Sequence, residues 1–272
     1  MALSSTLLVL DPASASWVGT LRRLREGVPS PAKTLAILAD PVFDGGDNRV
    51  HGGRASRASS DQPLRRAVEE ASDRTGDGGV LPRLPFSRRE AMAVASLVPA
   101  ADVLVALDFE ASRERAMSPA MAEYTIVHFA THSLLNHEHP ELSGVVLSLV
   151  DERGQAQNGF LRLQDIYNLR LPAEMVVLSA CQTAMGKALA GEGLLGLARG
   201  FMYAGSRRVI ASLWPVDEVA TSELMDEFYR ALLKERRRPG DALRKAQLVM
   251  ASRQRWRAPY YWAGFVIQGD WR

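Results

Sequence analysis

Apolar runs punctuate this chain, and most are apolar at every position rather than at alternate ones. TLAILAD (Thr34 to Asp40), VLVAL (Val103 to Leu107), TIVHFA (Thr125 to Ala130), VVLSLV (Val145 to Val150), MVVLSA (Met175 to Ala180) and RRVIASL (Arg207 to Leu213) each predict a buried strand. Pro41 stops the first of them. Helical patterns stand between the runs. SRRE, starting at Ser87, reads as a capping box in which Ser87 caps and Glu90 reaches back to the cap amide. The helix behind it is predicted to reach about Leu97, before Pro99. Ser118 followed by Pro119 marks a cap and a first-turn proline ahead of TIVHFA. Shorter helical stretches fall at Leu64 to Ser72 and Leu163 to Asn168, and a longer one at Glu192 to Ala204. In ATSELMDEFYRALLKE, Leu224, Met225, Phe228 and Leu232 share one face. Pro239-Gly240-Asp241 starts a last long helix, and an aromatic-rich strand, YYWAGFVIQGDW, follows. The Gly-, Ser- and Arg-rich stretch from Asp44 to Asp61 and the RTGDGG segment predict loops.

Strands apolar on both faces, alternating with helices, imply an α/β fold with a mostly parallel sheet covered on both sides. No repeat of 30 to 45 residues is present. The pattern is that of one domain over residues 31–272, with residues 1–30 as a poorly defined lead-in.

Composition narrows the function classes. A hydrophobic fraction of 47% is that of an ordinary globular protein, so a sizeable core can form. The formal net charge of +2 gives no field that points to nucleic acid or membrane. Only four of the 33 basic residues are lysine (Lys33, Lys187, Lys234 and Lys245), so the basic pI of about 8.8 reflects arginine usage rather than a binding patch. A single cysteine excludes an internal disulfide framework and fits a reducing cytoplasm. No stretch approaches the roughly 20 apolar residues that span a bilayer. MALSSTLLVLDP lacks the basic start of a signal peptide. The expectation is a soluble cytoplasmic protein.

That one cysteine, Cys181, stands at the end of MVVLSA. His132 stands past the end of TIVHFA, 49 residues upstream. A lone cysteine with a histidine at about this separation is a spacing found in caspase-type proteases. Open α/β sheets bind ligands outside the carboxyl ends of their strands, where both residues are predicted to lie. A thiol needs a base to become a nucleophile, and an imidazole serves as one. The competing reading is a buried, inert cysteine, since cysteine is among the most buried residue types. Two other patterns carry less. GEGLLG (Gly191 to Gly196) matches a dinucleotide fingerprint, but ten residues separate it from its strand. Four of five histidines cluster between His128 and His139, yet no second cysteine completes a metal site, and His128 reads as a satisfied strand histidine. No metal or cofactor is expected.

VHFATHS, VVLSACQTAMG, GEGLLGLARGFMYAGSRRVIASLWPVDEVAT, ALRKAQ and PYYWAGFVIQGDW occur in this order over roughly Lys33 to Arg272. Together they resemble the CHAT domain, a caspase-like family related to separase. The resemblance implies a caspase-like three-layer α/β/α sandwich and a Cys/His dyad of Cys181 and His132. It also implies an oxyanion hole made by the N–H groups of Ser133 and Cys181. The family usually has glycine directly after this histidine; Ser133 keeps the N–H but restricts the backbone angles. Family members carry acidic residues after the tryptophan of SLWPVDE, and separase uses one there to hold the arginine before the scissile bond. Asp217 and Glu218 are the candidates here, with Asp165 as a further one. Carboxylates at a helix start, favoured by its dipole, are the alternative account of Asp217 and Glu218. The implied function is a cysteine endopeptidase acting on a protein substrate, after a basic residue. The alternative is a CHAT scaffold that serves as a regulatory interaction module. CHAT domains commonly follow TPR repeats, so a TPR-type regulatory region or partner is expected, and neither nucleic acid nor membrane.

Overall fold

The computed structural model describes residues 30–51, 64, 66–68, 81–136, 139–183 and 191–270. In chain order its elements are β1 (Lys33–Ala39), α1 (Pro85–Ala95), β2 (Val103–Leu107), α2 (Arg113–Met117), β3 (Tyr124–Leu135), β4 (Gly144–Val146), β5 (Phe160–Arg162) and α3 (Leu163–Tyr167). They continue with β6 (Met175–Thr183), α4 (Gly191–Tyr203), β7 (Arg208–Ser212), α5 (Glu218–Tyr229), α6 (Pro239–Ser252) and β8 (Phe265–Gly269).

The main sheet runs β2-β1-β3-β6-β7-β8. Its first five strands are parallel, and β8 pairs antiparallel with β7. Residues of one strand alternate between two cores, which is why the runs are apolar throughout. Leu35, Ile37, Ile126, Val177 and Ile210 pack against α1, α5 and α6. Ala36, Leu38, Val127, Phe129, Val176, Leu178 and Val209 pack against α3 and α4. The result is a three-layer α/β/α sandwich, as the resemblance implies. On α5, Leu224, Met225, Phe228 and Tyr229 are all fully buried. Burying a side chain of Leu or Phe size contributes about 1.5–3 kcal/mol, so this one face anchors the helix firmly. The helix then passes into a π-helical turn, Arg230–Lys234.

Several elements differ from expectation. The helix after the predicted capping box starts at Pro85, with Leu84 as N-cap and no side-chain cap. Ser87 lies inside it; its hydroxyl donates to the Leu84 carbonyl (2.7 Å) and accepts from Asp40 N–H (3.0 Å). Pro85 at the first position explains the earlier start, because proline there loses no helical hydrogen bond. VVLSLV is no core strand. Only Val145 and Val146 of it belong to β4, which pairs antiparallel with β3 and β5. Beyond them the backbone bonds to loops instead: Ser148 N–H to Ala111 O and Leu149 N–H to Val42 O. Leu64 and residues 66–68 are helical, and the rest of that expected helix, most of the Asp44 to Asp61 stretch and RTGDGG lie outside the described residues. Among the described residues no helix is long and apolar enough to cross a membrane.

The largest difference concerns β3 and β6. Both run past their expected ends, so His132 and Cys181 sit inside strands rather than beyond them. Two neighbours allow this. On one side Ser133 and Leu134 pair with Val145 and Gly144 of β4. On the other, His132 to Leu135 pair with Ala180 to Thr183 of β6. The register shifts between Phe129 and His132, where Ala130 and Thr131 oppose the single residue Ser179. Such an extra residue is a β-bulge, which bends a strand and re-aims its side chains.

Candidate active site

Alternation along β3 puts His132 on the α1/α5 side of the sheet, the side of Ile126, His128 and Ala130, while the bulge shifts its register against β6. The imidazole is 1% exposed. Its Nε2 lies 2.7 Å from the Pro82 carbonyl oxygen. A carbonyl only accepts, so Nε2 carries the hydrogen and the neutral ring keeps its lone pair on Nδ1. The Phe43 ring leans on the imidazole, with centroids 5.2 Å apart. Burial pushes the imidazole down to about 4, and the Pro82 hydrogen bond opposes this less strongly. His132 is therefore neutral at pH 7, with one nitrogen tied to Pro82 and the other without a hydrogen-bond partner among the described residues.

Cys181 lies in β6 as the Cα partner of Ser133, one residue along from Ala180, the partner of His132. The parallel pairing thus brings the two residues of the expected dyad to adjacent positions on neighbouring strands. Ser133 is fully buried and has no positive φ, so serine at this position strains nothing. Its hydroxyl has no hydrogen-bond partner among the described residues.

A cleft of about 160 Å³ opens beside His132. Leu84, Pro215 and Val216 make it apolar, while Ser87, Glu90, Ser179, Glu218 and Thr221 make it polar. Glu218 is half-buried and accepts from Phe86 N–H at 3.4 Å. Burial raises its carboxyl above the usual range, the Phe86 hydrogen bond works against this, and the charges of Asp217, Asp40 and Glu90 add to the rise. Glu90 is 3% exposed, and its Oε1 lies 2.8 Å from His128 Nε2. The other ring nitrogen of His128, Nδ1, lies 2.8 Å from Tyr229 OH, and Ser179 Oγ lies 3.1 Å from the same Nε2, where it is the hydrogen-bond partner while Glu90 Oε1 makes an ion-pair contact only. Burial, and then the Glu90 charge, drive the Tyr229 hydroxyl well above its ordinary range, so it stays protonated. Two carboxylates in one partly enclosed cleft repel each other and favour a cation between them.

The predicted acidic residues separate. Glu218 lines the cleft. Asp217 caps α5, its Oδ1 accepting from Ala220 N–H at 2.9 Å. Asp165 lies on the opposite face of the sheet, in α3, where it accepts from Arg162 N–H and pairs with Arg113 at 3.1 Å. Sequence reasoning missed Glu90, because SRRE read as a capping box; only its place in the middle of an otherwise packed helix face hinted otherwise. Pro82, which acts through its carbonyl, carries no residue-type signal at all. GEGLLG opens α4, and the residues between it and β6 lie outside the described residues.

The CHAT domain family model matches residues 8–270 of this chain. Two curated relatives, both named Tetratricopeptide repeat protein 28, come from Mus musculus and Homo sapiens. Each is 29% identical over 216 residues, covering 69% of this chain. The matched region is 9% of the mouse protein and 8% of the human one, so this chain spans less than a tenth of their length. Among solved structures, the Arg-specific cysteine proteinase gingipain R is similar with a TM-score of 0.48 and 11% identity, over 89% of this chain and 46% of that one.

Proposed function

Because the chain belongs to the CHAT domain family, we propose that it is a caspase-like cysteine endopeptidase that cuts a protein substrate after a basic residue. One observation carries this reading. His132, neutral and with Nε2 tied to Pro82, faces a cleft holding Glu90 and Glu218, one strand away from the only cysteine. In the proposed reaction His132 Nδ1 takes the Cys181 thiol proton, and the sulfur attacks the peptide carbonyl. The N–H groups of Ser133 and Cys181 donate to the oxyanion, which requires the pairing of β3 with β4 and β6 to open at Ser133. The imidazolium then gives its proton to the leaving amine, and water, deprotonated by the same imidazole, hydrolyses the thioester. The basic side chain before the scissile bond enters the cleft, where Glu218 and Glu90 supply charge-assisted partners. Asp217 supports the site through its helix cap.

We place the protein in the reducing cytoplasm, in line with its lone cysteine. Its relatives' name supports a TPR-type region or partner as the regulator. The test is cleavage of a peptide library with arginine, lysine or neutral residues before the scissile bond. Wild type cuts after the basic residues, and Cys181→Ala does not cut; equal turnover by both overturns the reading.

A second reading, a regulatory interaction module without turnover, is favoured by the burial of His132 at 1% exposure. A thiol-reactive peptide probe separates the two. Labelling of Cys181 that is lost in His132→Gln supports the enzyme; an inert Cys181 supports the module.

A further inference from the structure

We propose that Asp40 is a positioning residue for His132, which it holds from two directions without touching it. Asp40 directly follows β1, is fully buried, and adopts φ +48°, a left-handed conformation rare for a non-glycine residue. Backbone strain of this kind persists only where the surroundings over-determine it. Here they do. Arg83 grips the carboxylate with its fork, Nε to Oδ1 at 2.8 Å and Nη2 to Oδ2 at 2.7 Å. Arg88 Nε adds a third bond at 2.8 Å, and Arg49 Nη1 lies 3.1 Å from Oδ1 while donating to the Asp40 carbonyl at 2.7 Å.

The main chain makes a second link. Asp40 N–H donates to Ser87 Oγ, and Ser87 O–H donates to the Leu84 carbonyl. Arg83 and Leu84 are thus both tied to Asp40, one through its side chain and one through its amide. The residue before them is Pro82, whose carbonyl holds His132 Nε2–H. In the other direction, the turn at Asp40 sends the chain to Phe43, whose ring packs on the same imidazole. The hydrogen-bonded and the packed restraint on His132 therefore both run through Asp40. A bidentate arginine–carboxylate pair fixes direction as well as distance, which is what the Pro82 carbonyl needs.

The kinetic consequence rests on the peptidase reading above; the effect on the imidazole does not. The test uses Asp40→Asn and Arg83→Met, with Arg83→Lys as the conservative variant. Arg83 has a side chain 36% exposed, so its replacement keeps the fold if Asp40→Asn does not. Nitrogen NMR of His132 at pH 7 should show the Nε2–H tautomer in wild type and an averaged pair of signals in both variants. Turnover should fall about 10- to 100-fold with KM little changed, the cost of a misplaced base, and Arg83→Lys should recover part of it. A folded Arg83→Met protein that keeps the Nε2–H tautomer overturns the proposal, whatever its turnover. A wild type without peptidase activity overturns the peptidase reading instead, and the tautomer signal alone then decides the role of Asp40.

Discussion

Acid should unfold this protein partly through one imidazole. Burial holds His132 down to about 4 against an ordinary 6.5. The unfolded chain therefore takes up a proton that the folded chain refuses, and stability falls as pH drops through the window between these values. Above 6.5 both states are neutral and the term vanishes; below about 4 both are protonated and the loss is complete. At about 1.4 kcal/mol per pH unit, the full loss is about 3 kcal/mol, a large share of the 5–15 kcal/mol that typically separates folded from unfolded. Urea titrations at half-unit steps from pH 7.5 to 3.5 measure it. Other groups titrate over the same range, so the comparison is with His132→Gln, whose amide can still donate to Pro82 but cannot ionise. The wild-type curve should fall below the variant's by about 3 kcal/mol across this window. Parallel curves, or an NMR titration of His132 near 6.5, would refute the reasoning. Under the peptidase reading the same value sets the acid limit of kcat/KM, which should extend to near pH 4 rather than break near 6.5.

Further outcomes follow from contacts around the site. Tyr229→Phe removes the hydroxyl 2.8 Å from His128 Nδ1 in a fully buried setting; it should cost about 1–3 kcal/mol in urea denaturation. Glu218→Gln leaves the cleft its shape but removes a charge, so the kcat/KM ratio of arginine over a neutral residue should fall at least about tenfold. A Cβ at Gly159 would stand 2.2 Å from the Ser148 carbonyl and 2.7 Å from that of Leu147. Backbone cannot yield as a side chain does, so Gly159→Ala should destabilise by about 1–3 kcal/mol, read as a lowered urea midpoint.

The strands β1 and β7 are legible because burial on two faces writes an unbroken apolar run, and β2, half-buried at the sheet edge, is legible because its residues still alternate between the two cores. The ends of β3 and β6 were not. Thr131, His132 and Ser133 are polar yet buried, and polar residues read as a loop. They stay in the sheet because β6 pairs with His132 and Ser133, β4 pairs with Ser133, and Thr131 Oγ1 donates to the Val146 carbonyl; β4 itself reads as part of a longer run. Ser87 and Glu90 show the same difficulty in a helix. SRRE has the letters of a capping box, but Pro85 offers an earlier start, and the two polar side chains turn inward to Asp40 and His128. Cys181 and His132 were found through spacing and flanks, and Glu218 through its neighbour tryptophan. Asp40, Phe43 and Pro82 escaped because each meets its partner across some 40 to 90 positions of chain, where no local pattern operates.

Those separations have a consequence for how the protein is made. The cleft draws on Pro82 before α1, His132 in β3, Ser179 in β6 and Thr221 in α5. No helix-sized fragment holds it, and its central pairing, β3 with β6, is a parallel, long-range contact of the kind that forms slowly. During synthesis the ribosome must release the chain beyond Thr221 before the last wall of the cleft exists. A truncated or half-folded chain therefore carries the sulfur and the imidazole but not the cavity beside them. Whatever chemistry the site performs waits until the chain through Thr221 has been made and folded.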